Sequence, residues 1–162
     1  MTFSLNAISP IDGRYSAKAD QLRPIFSEYG LIKHRVTIEI LWLIALSKNS
    51  KISEVPSFSE STLKTLHNII SSFSDNDAQA IKDIEQTTNH DVKAVEYWLK
   101  KTLANDKDVH AVSEFIHFGC TSEDINNLSY ALMLKDGVNN VILPEIIKLQ
   151  KKLNDYAIEY AD

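Results

Sequence analysis

The densest chemistry in the sequence lies in the run His117-Phe118-Gly119-Cys120-Thr121-Ser122-Glu123-Asp124-Ile125-Asn126-Asn127. Its eleven residues hold two hydroxyls, two carboxylates, two amides, an imidazole and a thiol. Thr121 or Ser122 can cap the helical pattern that follows, because a side-chain oxygen there accepts a bond from an otherwise unpaired first-turn amide. Glu123 and Asp124 then fall in the first turn, where acidic side chains oppose the positive end of the helix dipole. A cap needs one hydroxyl, so the second hydroxyl and Asn126-Asn127 exceed that requirement. First-turn amides beside two hydroxyls also make an anion site. A well-capped helix and an anion-binding helix start both fit this run.

A second polar cluster, Thr87-Thr88-Asn89-His90-Asp91, lies between two helical patterns. Asp91 reads as the N-cap of the helix that follows. That explains the carboxylate but not a histidine flanked by an amide and an acid; an imidazole so placed can be oriented by Asp91 and offer a hydrogen bond or a proton to a ligand. A third candidate follows the turn Ser9-Pro10-Ile11-Asp12-Gly13, where Asp and Gly are expected to supply unusual backbone angles. Arg14 and Tyr15 come next, either as a surface charge with a half-buried ring or as a phosphate clamp of a forked guanidinium and a phenol. His110 and His117 are seven apart, on one face if Val109–Phe118 is helical, but no third ligand at useful spacing accompanies them, so a metal site is rejected. Cys120 reads as a small packed side chain rather than a nucleophile, and His67 as structural.

These clusters need helices to hold them. Ser27 is expected to cap a first long helix running to about Ser47. Leu31, Ile38, Leu41, Trp42 and Ala45 form its stripe, widened by Ile40, Leu43, Ile44 and Leu46. So wide an apolar face implies burial on most sides; His34 and Arg35 are read as solvated or interfacial. Ser59–Thr62 opens a second helix, with Leu63, Leu66, Ile69, Ile70 and Phe73 inward. Ser74-Asp75 opens a third that ends near Gln86. Val92, Val95, Leu99 and Leu103 line a fourth, and Val109–Phe118 is expected to be helical. From Thr121 the helical pattern continues through Gly137 and Pro144, and the proline is expected to kink it rather than end it. At about 1.5 Å per residue that helix would exceed roughly 50 Å. Its apolar face must find partners outside this chain.

The 162 residues suffice for one domain with a real core, or one small domain and part of a second. Net charge is −5, from 17 basic and 22 acidic residues, which argues against a nucleic-acid partner. A single cysteine excludes an internal disulfide and suits a reducing cytoplasm. Met1–Asn6 is too short and mixed for a leader, and Ile40–Leu46 is too short to span a bilayer, so no membrane partner is expected. Four glycines and four prolines fit an all-α chain.

The run Gly119–Asn127 resembles the first signature region of the fumarase/aspartase superfamily. Thr87–Tyr97 and Ser9–Tyr15 narrow the resemblance to its adenylosuccinate lyases of bacterial type, over the whole chain. The resemblance implies a helical N-terminal domain over residues 1–109 and, over 110–162, the opening helices of a central bundle. It implies a carbon–nitrogen lyase that eliminates fumarate from adenylosuccinate to give AMP, and from the succinocarboxamide SAICAR to give AICAR. It implies further that no metal or cofactor takes part and that the enzyme is a cytoplasmic homotetramer. Thr121 and Ser122 match the succinyl carboxylate contacts, Asn89, His90 and Asp91 match substrate contacts, and Arg14 and Tyr15 match the nucleotide phosphate site. No catalytic residue is implied within this chain, His90 being auxiliary at most. The general-acid histidine of such enzymes belongs to a Thr-His stretch beyond position 162, and the serine base to a mobile Gly-Ser-Ser loop farther on. The chain is therefore expected to be an N-terminal portion, inactive alone. Argininosuccinate lyase or another lyase of the superfamily is one rival reading, against which stand the Thr-Asn-His-Asp cluster and the Arg14-Tyr15 pair. A non-catalytic helical oligomerisation module is another.

Overall fold

The computed structural model describes residues 5–161, so the reading of Met1–Asn6 falls largely outside the described residues. Within them lie α1 (Arg23–Phe26), α2 (Glu28–Ser47), α3 (Glu60–Ser72), α4 (Asp75–Thr88), α5 (Asp91–Thr102), α6 (Lys107–Ala111), α7 (Ser122–Gly137) and α8 (Leu143–Glu159), and no strand. Leu31–Ala131 forms one compact unit; the described residues of Met1–Gly30 and Leu132–Asp162 form a second.

In the larger unit the core gathers around α2. Ser27 precedes this helix, and its hydroxyl accepts the Gly30 amide at 3.3 Å, as its position in the sequence implied. Ile32, Val36, Ile40, Leu43 and Ile44 are buried, whereas Leu41 and Ala45, placed in the expected stripe, are exposed. Residues 38–46 are apolar on nearly every side apart from Glu39, so their pattern cannot say which side faces inward. The reading of His34 and Arg35 as solvated is wrong: they are 8% and 5% exposed. Leu46 packs with Val55 and Val112 under Trp42, Ile52, Phe58 and Phe115. Farther along, Phe73 meets Trp98 edge to face at 5.7 Å. Leu66 is wholly buried, and burial of one such side chain contributes roughly 1.5–3 kcal/mol.

Local chemistry sets the helix ends. Ser59 accepts the Thr62 amide at the start of α3, and Ser74 with Asp77 forms a reciprocal capping box on α4. α4 runs two residues past the expected end, to Thr88, and stops because Asn89 turns left-handed, with φ 51°. Asparagine tolerates that conformation better than most residues. Val109–Phe118 is not one helix. Asp106 caps the short α6, a 3-10 turn covers Ser113–Phe115, and His117 has φ 66°. His110 and His117 therefore share no helical face. His67 is exposed rather than structural.

The second unit begins with the Ser9–Gly13 turn. It does not use unusual backbone angles, since the positive φ values among the described residues are at Asn89, His117 and Gly119. Asp12 Oδ1 holds it instead, accepting the Ser9 amide at 2.8 Å and its hydroxyl at 3.0 Å. Between α7 and α8 the backbone stays helical but widens at Val138–Ile142, where the Leu143 amide reaches back five residues to Val138 O. Pro144 has no amide to give, and its ring opposes the carbonyl four residues back; a wider turn relieves both. On α8, Ile146, Leu149 and Leu153 are more than half exposed.

Gly30 is where a side chain is least tolerated. A methyl there would collide with the Ile25 carbonyl oxygen and lie 2.9 Å from that of Pro24. Gly30→Ala is therefore expected to lower stability by roughly 1–3 kcal/mol, as overpacking against backbone does. Urea unfolding of the two chains checks this; equal midpoints would contradict it.

Candidate functional site

The reversal between α4 and α5 sets the first half of the site. With Asn89 left-handed, His90 becomes extended and takes the cap position. The N-cap of α5 is thus His90 and not Asp91: His90 Nδ1 accepts the Lys93 amide at 3.2 Å. Asp91, the first helical residue, accepts the Val92 amide on Oδ1 at 2.8 Å. Its position one residue inside the helix frees Oδ2 to pair with Arg35 at 2.6 Å. A backbone amide can only donate, so a neutral His90 must carry its proton on Nε2. The orientation expected from Asp91 is supplied mainly by this cap, for Asp91 Oδ1 stands 3.7 Å from Nδ1.

The second half is the loop leading into α7. His117 and Gly119 both take positive φ, a conformation that a glycine adopts at no steric cost. Two residues of α2 hold this loop. Glu39 Oε1 meets His117 Nδ1 at 2.6 Å, and Trp42 Nε1 donates to the Phe118 carbonyl at 2.8 Å. Asp124 Oδ2 accepts both the amide (2.8 Å) and the hydroxyl (3.0 Å) of Thr121. With Thr121 so engaged, the Ser122 hydroxyl stands 3.4 Å from His90 Nε2.

Asn89, His90 and Asp91 line a polar cleft of about 460 Å³ together with Lys82, Glu85 and Gln86. The structure thus gathers Asn89, His90, Asp91 and Ser122, with Thr121 alongside in the chain. Arg14 and Tyr15 belong to the other compact unit, where the guanidinium stacks 4.7 Å from the phenol ring centroid.

Electrostatics differ sharply between neighbouring acids. Burial pushes the Asp91 carboxyl up, but the Val92 amide and the Arg35 guanidinium outweigh it and hold it below the usual carboxylate range. The amide and hydroxyl of Thr121 lower Asp124. Glu39 moves the other way: burial raises it despite the bond to His117, and its Oε2 makes no hydrogen bond. Burial, then Glu39 and Asp124, push the Cys120 thiol up, in keeping with a packed side chain rather than a nucleophile.

The sequence reading missed Arg35 and Glu39. The available signal was two ionisable residues four apart in a helix apolar on nearly every side, where charges must find partners.

Comparison with known proteins bears on what this arrangement serves. A family model described as a lyase matches residues 13–162. The chain belongs to this lyase family. It is 56% identical over 159 residues to adenylosuccinate lyase of Escherichia coli (strain K12), and 54% identical over 159 residues to that of Vibrio cholerae. It is 54% identical over 157 residues to the Haemophilus influenzae enzyme. These matches cover 97–98% of this lyase-family chain but only 34–35% of each relative. The chain thus spans about a third of their length.

Two outcomes follow for the lyase-family chain. His90→Ala removes the α5 cap and should cost about 1 kcal/mol, whereas His90→Asn keeps a capping acceptor and should cost a few tenths at most. Thermal unfolding of both variants checks this; equal losses would contradict the cap. Asp91, depressed in the fold, contributes stability present above its unfolded value of about 3.9 and lost as pH falls through its lower folded value. Arg35→Met removes part of that depression. Its penalty should be largest near neutrality and shrink below about pH 4, as urea unfolding stepped down in pH would record. A penalty constant with pH would count against the pair.

Proposed function

We propose that this chain is part of an adenylosuccinate lyase, eliminating fumarate from adenylosuccinate to give AMP and from SAICAR to give AICAR. The observation that supports this most is the meeting of His90 with Ser122. They come from two separate signature stretches, and they meet in a chain 56% identical to a named adenylosuccinate lyase.

Elimination removes a proton from the carbon beside a carboxylate, and negative charge spreads onto that carboxylate as the carbon–nitrogen bond breaks. Donors aimed at it gain most at that moment. In the proposal the Ser122 hydroxyl and the first-turn amides of α7 hold the succinyl carboxylate, and Thr121 joins them by turning its hydroxyl from Asp124 to the substrate. His90 Nε2–H, turned outward because Nδ1 caps α5, donates to substrate beside it. Asn89 and Asp91 complete this edge of the cleft. Arg14 and Tyr15 take the nucleotide phosphate, a role suited to a forked cation and a phenol. The acid and base of the reaction are proposed to lie in the remainder of a longer protein. The division into domains at residues 109 and 110 describes that longer protein.

Among the described residues no helix is long and apolar enough to cross a membrane. The exposed leucines and isoleucines of α8 support assembly, which we propose to be a homotetramer in the cytoplasm.

In the longer enzyme, Ser122→Ala and His90→Gln should each lower kcat on adenylosuccinate by roughly a hundredfold, the scale seen when one donor to a developing anion is lost. Arg14→Ala should instead raise KM, by roughly tenfold or more, the scale of one charged hydrogen bond. The 162-residue chain alone should leave fumarate release, followed by ultraviolet absorbance, at background. Full activity of Ser122→Ala, or sustained turnover by the chain alone, would overturn the proposal.

A further inference from the structure

One face of α2 reaches both halves of the candidate site in the larger unit. Arg35, Glu39 and Trp42 stand four and three residues apart, which places them on one side of the helix. Arg35 is the most informative, with its side chain 6% exposed. Its guanidinium reaches Asp91 Oδ2 at 2.6 Å and, through Nε, Asn126 Oδ1 at 2.9 Å. Asp91 is the residue after His90. Asn126 lies one turn along α7 from Ser122. One planar fork therefore ties the start of α5 to the start of α7, with His90 and Ser122 at the two tied ends. One turn farther, Glu39 and Trp42 hold His117 and Phe118, fixing the loop from which Ser122 emerges.

We propose that Arg35 is a positioning residue for the elimination, setting the separation of His90 and Ser122 by bridging Asp91 and Asn126, with Glu39 fixing the Ser122 loop from the same face. This rests on the function proposed above but adds residues that do not themselves touch substrate. Lysine cannot replace arginine in this role, because one ammonium lacks two donors in a fixed plane. The competing account is a buried ion pair that only stabilises the fold. It requires loss of stability without change in the geometry or turnover of the folded molecules.

The test uses Arg35→Lys, Asn126→Ala, their double variant and Glu39→Gln. In the longer enzyme, Arg35→Lys should lower kcat on adenylosuccinate on the order of ten- to a hundredfold at temperatures well below its melting transition, the scale of a small misplacement of reacting groups. The double variant should lose little beyond the worse single one, since both break the same bridge. Glu39→Gln should also lower kcat in folded protein, so the proposal does not depend on one variant. Separately, in the 162-residue chain, the nuclear Overhauser contact between the His90 ring and the Ser122 methylene should be present and should vanish in folded Arg35→Lys. Full kcat in folded Arg35→Lys and Glu39→Gln, or an unchanged contact, would overturn the proposal. An unmodified longer enzyme without activity on adenylosuccinate would instead remove the functional reading, and the contact would still decide whether Arg35 sets the geometry.

Discussion

A guanidinium in an apolar helix carries a large desolvation cost, and it is stable there only when its donors are matched. Arg35 matches them with the Asp91 carboxylate and the Asn126 amide. That constraint propagates. Asp91 can reach Arg35 because it sits one residue inside α5, and it sits there because His90 holds the cap position. His90 can hold it because Asn89 ends α4 in a left-handed turn. The direction of the imidazole rests on this chain of contacts, so the candidate chemistry is a consequence of how three helix ends are joined.

The same economy appears at the loop leading into α7. Glu39 is fully buried and keeps one oxygen without a hydrogen bond, while the other meets His117 in a strained backbone conformation. Such a pair stabilises poorly compared with apolar packing of the same volume. Strain and an unsatisfied acid side by side are characteristic of functional regions, where geometry takes precedence over stability.

Much of the helical layout was legible in the sequence because caps are local. Ser27, Ser59 and Ser74 each announce a start by a hydroxyl placed before an apolar period, and each start was found there. The polar clusters around His90 and Ser122 stood out because they exceeded what capping explains. What stayed hidden depended on partners distant in sequence. Arg35 lies 56 residues from Asp91 and 91 from Asn126, and no local pattern encodes that bridge. Residues 38–46 hid the inward face of α2 by being apolar almost all round. The choice of His90 over Asp91 as cap was hidden too, since both can accept an amide and only the left-handed turn at Asn89 decides between them.

Capping α5 consumes His90 Nδ1 and leaves Nε2–H facing Ser122. Long-range proton–nitrogen correlation spectra of the histidine rings, with His90 assigned from its Asn variant, read that tautomer directly in the 162-residue chain at neutral pH. Unprotonated His90 should carry its hydrogen on Nε2, and Nδ1 should show the shift of a hydrogen-bonded acceptor. A ring protonated on Nδ1, or one averaging between tautomers, would contradict it.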